Sequence, residues 1–236
     1  MAKKAAKPIS PSENLTPSIK IAPSILAGDF GYLADEARRI EASGADSLHI
    51  DIMDGHFVPN LTMGPQAVAA INRATPMFLD VHLMIYNPYD YVERFIEAGA
   101  DMITIHFEAT EDVTETLEYI RRCHIKAGLA FCPETSMSMI PKYLEACDMI
   151  LLMTVHPGYG GQAFMPEVIE KIEFTRKACN TLNIPMDIQV DGGINPATAQ
   201  QCITAGANVL VAGTYVFTAP DMREAVDSLR QQPLNP

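Results

Sequence analysis

The sequence predicts a single (β/α)8 TIM barrel, an α/β fold in which eight parallel strands each lead into a helix that packs outside them. Short apolar runs alternate with segments of helical period over nearly all of the 236 residues. A Gly-containing junction recurs where a helix passes into the next strand. No G-x-G-x-x-G follows the first strand, where an open dinucleotide-binding sheet would need it. These three observations favour one closed barrel.

Eight strand–helix pairs are expected in chain order. Each strand is an apolar or alternating run, and each helix places apolar residues three or four positions apart. Unbroken alternation of this kind implies parallel strands joined by right-handed crossovers. The predicted pairs are 21–26 with 32–43, 46–53 with 65–73, 77–84 with 89–98, 101–106 with 112–123, 126–131 with 138–145, 147–155 with 166–181, 186–190 with 196–205, and 208–213 with 220–231.

The recurring junction supports short, regular units. Gly44, Gly99 and Gly206 each follow a predicted helix and precede an Ala and then an Asp or Asn. Gly is the usual residue at a helix end because it has no Cβ to clash at positive φ. With Cys147 at a fourth junction, the spacing averages about 54 residues, or two βα units. This length leaves room only for short loops between the elements of a barrel.

The remaining composition bounds the class of protein. Residues 1–18 lack hydrophobic periodicity, which predicts a flexible N-terminal tail before a barrel domain at 19–236. The five cysteines are scattered without a C-x-x-C pair, so neither a disulfide framework nor a zinc knuckle is expected. No apolar stretch has the length of a membrane span, and no signal peptide is evident. We therefore expect a cytoplasmic protein without a membrane partner.

The net charge of −12 argues against a nucleic-acid partner, because a polyanion would be repelled over most of the surface. A small anionic substrate remains compatible with this charge. Backbone N–H groups focused on one site can bind such an anion despite the unfavourable field of the whole protein.

Four ionisable side chains are expected to meet inside one end of the barrel. Strand side chains alternate, so His49, Asp51, His82 and Asp191 face inward when their apolar neighbours face the helices. Two imidazoles and two carboxylates are suitable ligands for zinc, iron or manganese. The alternative, separate hydrogen-bonded polar residues, is costly for four such groups in an apolar barrel mouth. His106 also faces inward, where we expect a supporting role or a place in the core.

Three glycine-rich loops follow the last three strands. Glycine lets backbone N–H groups approach a ligand closely, and a phosphate site formed after strands 7 and 8 is frequent in this fold. One such loop alone is equally well explained as a tight turn, but three on adjacent strands favour a phosphate. The loops are residues 157–162, 191–193 and 212–214.

Five segments carry a more specific signal: 21–26 (IAPSIL), 49–60 (HIDIMDGHFVPN), 80–84 (DVHLM), 157–162 (PGYGGQ) and 190–193 (VDGG). Together they resemble the ribulose-phosphate 3-epimerase family, whose barrel is of the ribulose-phosphate-binding type. The resemblance runs from about residue 20 to about residue 230, and the second segment is its most specific part.

The resemblance implies interconversion of D-ribulose 5-phosphate and D-xylulose 5-phosphate. It implies one divalent transition metal ion (Zn, Fe(II), Mn or Co) at His49, Asp51, His82 and Asp191, and a homo-oligomer. Inversion at C3 through an enediolate needs proton transfer on two opposite faces, which gives Asp51 and Asp191 a second role as base and acid. The implied substrate contacts are Ser24, His82, Gly158, Tyr159, Gly160, Gly161, Asp191, Gly192, Gly193, Gly213 and Thr214.

Two positions depart from the family pattern. Thr214 stands where Ser is commoner, but it keeps a hydroxyl and a backbone N–H for a phosphate. Gln189 stands where Glu is commoner, which removes a charge beside Asp191. The second departure leaves the local charge balance and the metal preference open.

Alternatives in the same barrel differ in substrate or chemistry. A D-allulose 6-phosphate 3-epimerase would share the metal site and the proton transfer and accept one more carbon. A catalytically inactive sugar-phosphate-binding barrel would keep the loops without needing a metal. Decarboxylases and Schiff-base aldolases of related barrels need an interior Lys, whereas the third strand carries His82 and both Lys20 and Lys126 begin their strands.

Overall fold

The computed structural model describes residues 18–230, and these residues form a ring of eight parallel strands surrounded by helices. The strands pair in the order β1-β8-β7-β6-β5-β4-β3-β2. The predicted barrel is confirmed, whereas the predicted tail lies outside the described residues except for Ser18. The strands are β1 Lys20–Ala22, β2 Ser47–Met53, β3 Phe78–Met84, β4 Met102–His106, β5 Lys126–Phe131, β6 Met149–Met153, β7 Asp187–Asp191 and β8 Val209–Val211.

Eight α-helices and five 3-10 segments connect the strands in this part of the chain. No helix within 18–230 combines the length and the apolar character needed to cross a bilayer. The 3-10 segments are Ile25–Ala27, Phe30–Tyr32, Pro88–Tyr91, Phe107–Ala109 and Met137–Tyr143. The α-helices are α1 Leu33–Ala42, α2 Pro65–Ala74, α3 Val92–Glu97, α4 Val113–Arg122, α5 Val168–Leu182, α6 Pro196–Ala205, α7 Thr214–Phe217 and α8 Met222–Arg230.

Three predicted elements differ from the structure. The first turn of the predicted helix 89–98 is the 3-10 segment Pro88–Tyr91, and the α-helix begins only at Val92. The predicted helix 138–145 is the 3-10 segment Met137–Tyr143, because Pro141 lies inside it and lacks the N–H that an α-helix requires. The predicted strand 21–26 ends at Ala22, and the Ser24 hydroxyl then accepts a hydrogen bond from the Leu26 N–H at 3.3 Å. The short helix α7 was not predicted, and it begins at Thr214, with two residues between it and the end of β8.

The main apolar core lies between the strands and the helices. Leu48 and Ile50 of β2 are fully buried in the same cluster as Val68 and Ile71 of α2. The polar residues that alternate with them on β2 face the barrel interior. Burial of the outer face therefore determines which side chains reach the inside of the barrel.

The recurring junctions join neighbouring strands at the amino-terminal end of the barrel. Each Asp or Asn that closes a junction accepts a hydrogen bond from a backbone N–H of the preceding strand, and its own N–H donates to the carbonyl of that same residue. Paired bonds of this kind fix the register of the two strands. The pairs are Asp46 with Ile21, Asp101 with Leu79, Asp148 with Ala127 and Asn208 with Ile188.

The ring closes differently between β1 and β2. The described residues contain no continuous ladder between these strands, and a parallel bridge pairs Ser24 with His49. The His49 N–H donates to the Pro23 carbonyl at 3.0 Å. The Asp46 side chain holds the other end of this seam through the Ile21 N–H at 2.8 Å.

Candidate active site

The four inward ionisable residues meet at the carboxyl ends of β2, β3 and β7. One ligand atom from each of His49, Asp51, His82 and Asp191 lies within 4.8 Å of the other three. The Asp51 Oδ1 atom is 3.3 Å from His49 Nε2 and 3.1 Å from His82 Nδ1. The Asp191 Oδ2 atom is 3.8 Å from each of the same two nitrogens. The structure thus brings together the set that strand alternation predicts.

The orientation of His49 suits a metal ligand. Its Nδ1 atom lies 2.8 Å from Asp80 Oδ2, and an ionised carboxylate can only accept, so Nδ1 carries the proton. Its Nε2 atom is buried and has no hydrogen-bond partner among the described residues. Nε2 therefore faces the two carboxylates and is the ring nitrogen available to a metal ion, as expected when a carboxylate orients a ligating histidine.

Gln189 completes this arrangement below the cluster. Its Nε2 group donates to Asp80 Oδ2 at 2.7 Å, so Asp80 receives donors from both Gln189 and His49. An ionised Glu at this position would place a second acceptor against Asp80. The alternation that turns His82 inward does the same for Asp80, two residues earlier on β3, but a role for Asp80 appears only in its contacts with His49 and Gln189.

Excess negative charge marks the cluster. Burial opposes protonation of His49, but the carboxylates of Asp51 and Asp80 outweigh it and raise the pKa of His49 well above its ordinary value. Burial alone would raise the pKa of Asp51, yet the two imidazoles hold it below its usual range. Burial and the charge of Asp51 raise the pKa of Asp191 to about 7. A site that draws a proton onto His49 also attracts a metal cation, so the residues present fit a divalent ion.

A cavity of about 770 Å³ opens above the cluster. Asp51 and Asp191 line this cavity, whereas His49 and His82 are fully buried beneath it. The Ser24 hydroxyl donates to Asp51 Oδ2 at 2.5 Å and so orients that carboxylate. All of the predicted substrate contacts line the cavity except His82. The lining contacts are Ser24, Gly158, Tyr159, Gly160, Gly161, Asp191, Gly192, Gly193, Gly213 and Thr214.

The glycine-rich loops approach one another on the far side of the cavity. A Cβ built on Gly161 would lie 3.9 Å from Thr214 Oγ1, so the loops after β6 and β8 are in close proximity. Gly193 has a φ of +65°, and a Cβ there would lie 2.6 Å from the Phe164 backbone N. The loops are therefore packed too closely at Gly193 to admit a side chain.

Side chains that the sequence did not single out hold the loop after β6. Gln162 Nε2 donates to the carbonyls of His156 and Tyr159 at 2.6 and 2.9 Å. Asn60 Nδ2 donates to the Gly158 carbonyl at 2.9 Å from a different loop. Both residues fall within the segments that carry the family resemblance, which is the only sequence signal that points to them.

Most of the chain matches known proteins in sequence. Residues 20–217 match the model of the ribulose-phosphate 3 epimerase family. The chain is 51% identical over 207 residues to a ribulose-phosphate 3-epimerase of Chlamydia pneumoniae, covering 87% of this chain and 90% of the relative. It is 45% identical over 213 residues to a ribulose-phosphate 3-epimerase of Bacillus subtilis, covering 90% and 98%.

Solved structures share the fold at low sequence identity. KGPDC from Streptococcus mutans aligns with a TM-score of 0.65 and 13% identity, over 90% of this chain and 95% of that one. A 3-hexulose-6-phosphate synthase aligns with a TM-score of 0.64 and 17% identity, over 90% and 98%. At this identity the likeness concerns the barrel alone, whereas the family match covers most of the sequence. The chain belongs to the ribulose-phosphate 3-epimerase family.

Proposed function

We propose that the protein interconverts D-ribulose 5-phosphate and D-xylulose 5-phosphate by proton transfer at C3. The observation that carries this proposal is the pair of carboxylates, Asp51 and Asp191, which share one buried cluster and both face the cavity. Relatives that match most of the chain carry the same activity in their names. A small sugar phosphate is thus the proposed partner.

The two carboxylates supply the base and the acid. Asp51, whose pKa is depressed by the two imidazoles, is suited to accept the C3 proton in one direction. Asp191, whose pKa is raised to about 7 by burial and by Asp51, is suited to donate a proton to the opposite face. Their roles exchange in the reverse direction, and the product of the first transfer is an enediolate.

We propose that His49, Asp51, His82 and Asp191 hold one divalent transition metal ion, either Zn, Fe(II), Mn or Co. When bound there, the ion supplies positive charge beside the oxygens on which negative charge develops. Met53, Met84 and Met153 line the cavity with soft apolar side chains that exclude water without offering a competing proton donor. The homo-oligomer and the cytoplasmic location remain predictions.

The phosphate is proposed to bind the backbone N–H groups of the three glycine-rich loops, together with the Thr214 hydroxyl. Replacing Gly193 by Ala is expected to lower kcat/KM about 100-fold, because the new Cβ meets the Phe164 backbone and displaces the loops. Steady-state kinetics with ribulose 5-phosphate measures this loss. Gly64→Ala is the matched control, since its Cβ meets nothing nearer than 3.7 Å. Equal kinetics for both variants would contradict the assignment of the loop.

Substrate length is tested by a side-by-side assay. We expect turnover of D-ribulose 5-phosphate with a higher kcat/KM than D-allulose 6-phosphate, with metal content measured on the same preparation. The reverse preference would make the hexose phosphate the substrate. Absence of turnover with both, in protein that retains metal, would reject the epimerase proposal and favour the inactive binding barrel.

A further inference from the structure

A chain of hydrogen bonds leads outward from the proposed metal ligand His82. The His82 Nε2 atom lies 2.8 Å from His106 Nε2, and the His106 Nδ1 atom lies 3.2 Å from Glu108 Oε2. Both imidazoles are fully buried, and their rings stack with centroids 5.0 Å apart. His106 and Glu108 have no role in the proton transfer proposed above.

Proton counting relates the tautomers along this chain to what occupies His82 Nδ1. An ionised carboxylate only accepts, so the Glu108 contact requires a proton on His106 Nδ1. The neutral His106 ring then has a lone pair on Nε2, and the facing His82 Nε2 atom must be the donor. Without a cation, the same rule would place a proton on His82 Nδ1, which lies 3.1 Å from Asp51 Oδ1. When a metal ion takes the place of that proton, a neutral His82 carries its proton on Nε2 and has its lone pair on Nδ1, which is the tautomer that the Glu108 contact requires.

Other contacts hold Glu108 in this orientation. Its second oxygen, Oε1, accepts from the Cys132 backbone N–H at 2.9 Å and from the Thr135 hydroxyl. The loop that supplies these donors is held from α5, where Lys171 Nζ donates to the Cys132 and Pro133 carbonyls at 2.8 Å each. The Glu108 side chain is 23% exposed and the residue lies at the surface, so these hydrogen bonds, not burial, hold its orientation.

We propose that Glu108 and His106 are positioning residues that set the His82 tautomer, so that Nδ1 presents its lone pair to the metal. The inference rests on the metal site of the proposed function. It assigns a task to two residues that contact neither the metal nor the substrate, and oriented partners of this kind strengthen metal binding in other sites.

A second metal site is the competing use of the same residues. Ligand atoms of His106, Glu108 and Cys132 lie within 4.8 Å of one another. A metal on His106 Nδ1 would move the proton to Nε2, which would then donate to His82 and place the His82 proton on Nδ1. The two metal sites therefore exclude each other in neutral rings, and the hydrogen bonds to Glu108 favour the site at His82.

The variant Glu108→Gln distinguishes an effect on the histidine tautomers from simple loss of the contact between residue 108 and His106. With its oxygen facing the Cys132 N–H and Thr135, the new amide presents NH2 to His106 Nδ1 and reverses both tautomers. Zinc affinity of the metal-stripped protein, measured by competition with a chelator, is expected to fall about 10- to 100-fold. Glu108→Ala should lose less, because it leaves the His106 tautomer free rather than reversed.

Glu134→Gln is the matched control, since it removes a charge from the same loop at an exposed pair with His156. Its zinc affinity should stay within about threefold of the parent protein. Thermal melting of each variant in the metal-free state identifies any that fail to fold.

Imidazole 15N NMR of the zinc-loaded parent protein reads the tautomers without any substitution. We expect protonated Nδ1 and unprotonated Nε2 on His106, and the opposite on His82. A proton on His106 Nε2, unchanged zinc affinity in folded Glu108→Gln, or a second zinc ion held through Cys132 would each overturn the inference. A parent protein that binds no zinc would instead remove the metal site of the proposed function, and the inference with it.

Discussion

Asp51→Asn and Asp191→Asn are each expected to abolish epimerisation while leaving the barrel folded. Inversion at C3 needs one carboxylate on each face of the substrate, and an amide cannot exchange a proton in this way. We expect kcat to fall by at least about 10³-fold in each variant. Coupled assays for both pentulose phosphates measure the loss, and circular dichroism checks the fold.

Two further measurements make this test specific. Because both residues are proposed metal ligands, each variant should also lose metal affinity, so kinetics are repeated with excess metal ion. Asp35→Asn is the control, because Asp35 lies on the exposed face of α1 in a pair with Arg38. Full turnover by Asp51→Asn or Asp191→Asn would contradict the two-carboxylate mechanism. Unchanged metal binding in an inactive variant would show that the residue transfers a proton without being a metal ligand.

Removal of the metal is the second large effect. The buried cluster holds two carboxylates beside His49 Nε2, which has no hydrogen-bond partner within 18–230. Without a cation, the developing charge on the substrate would meet these carboxylates unscreened. Stripping with a strong chelator is therefore expected to lower kcat by about 10³-fold or more.

Adding metal back to the stripped protein distinguishes loss of the metal from damage to the protein. Activity should return when Zn, Mn, Co or Fe(II) is added back to the stripped protein, in proportion to one ion per chain. The comparison among these ions also tests the effect of Gln189, which donates to Asp80 below the cluster. Stripped protein that retains full activity with no detectable metal would refute the proposed metal role.

The positions of the strands and the cluster of four ionisable residues were predictable from the sequence, because both follow from the alternation of apolar and polar side chains along each strand. In β2 and β3 every second residue is apolar and packs against helices, so the inward placement of His49, Asp51 and His82 needed no knowledge of the rest of the fold. Asp191 was reached by the same reasoning on β7. The fifth helix was predicted as α-helical because its apolar spacing suits one, but Pro141 prevents α-helical hydrogen bonding.

The supporting contacts were not predictable, because they join distant parts of the chain. Asn60 and the Gly158 carbonyl are 98 positions apart, and Gln189 and Asp80 are 109 apart. No periodicity relates such pairs. The junction residues Asp46, Asp101 and Asp148 were visible as a repeat, but their hydrogen bonds to the preceding strands appear only in three dimensions.

The seam between β1 and β2 links the architecture to the occupancy of the site. The bridge residues Ser24 and His49 both contact Asp51, so the least hydrogen-bonded part of the wall is held together by groups of the candidate active site itself. A ligand that binds these groups in the native state alone also resists separation of β1 from β2. Binding of the proposed metal ion would therefore stabilise the barrel at this seam, in addition to any part that the ion plays in the reaction.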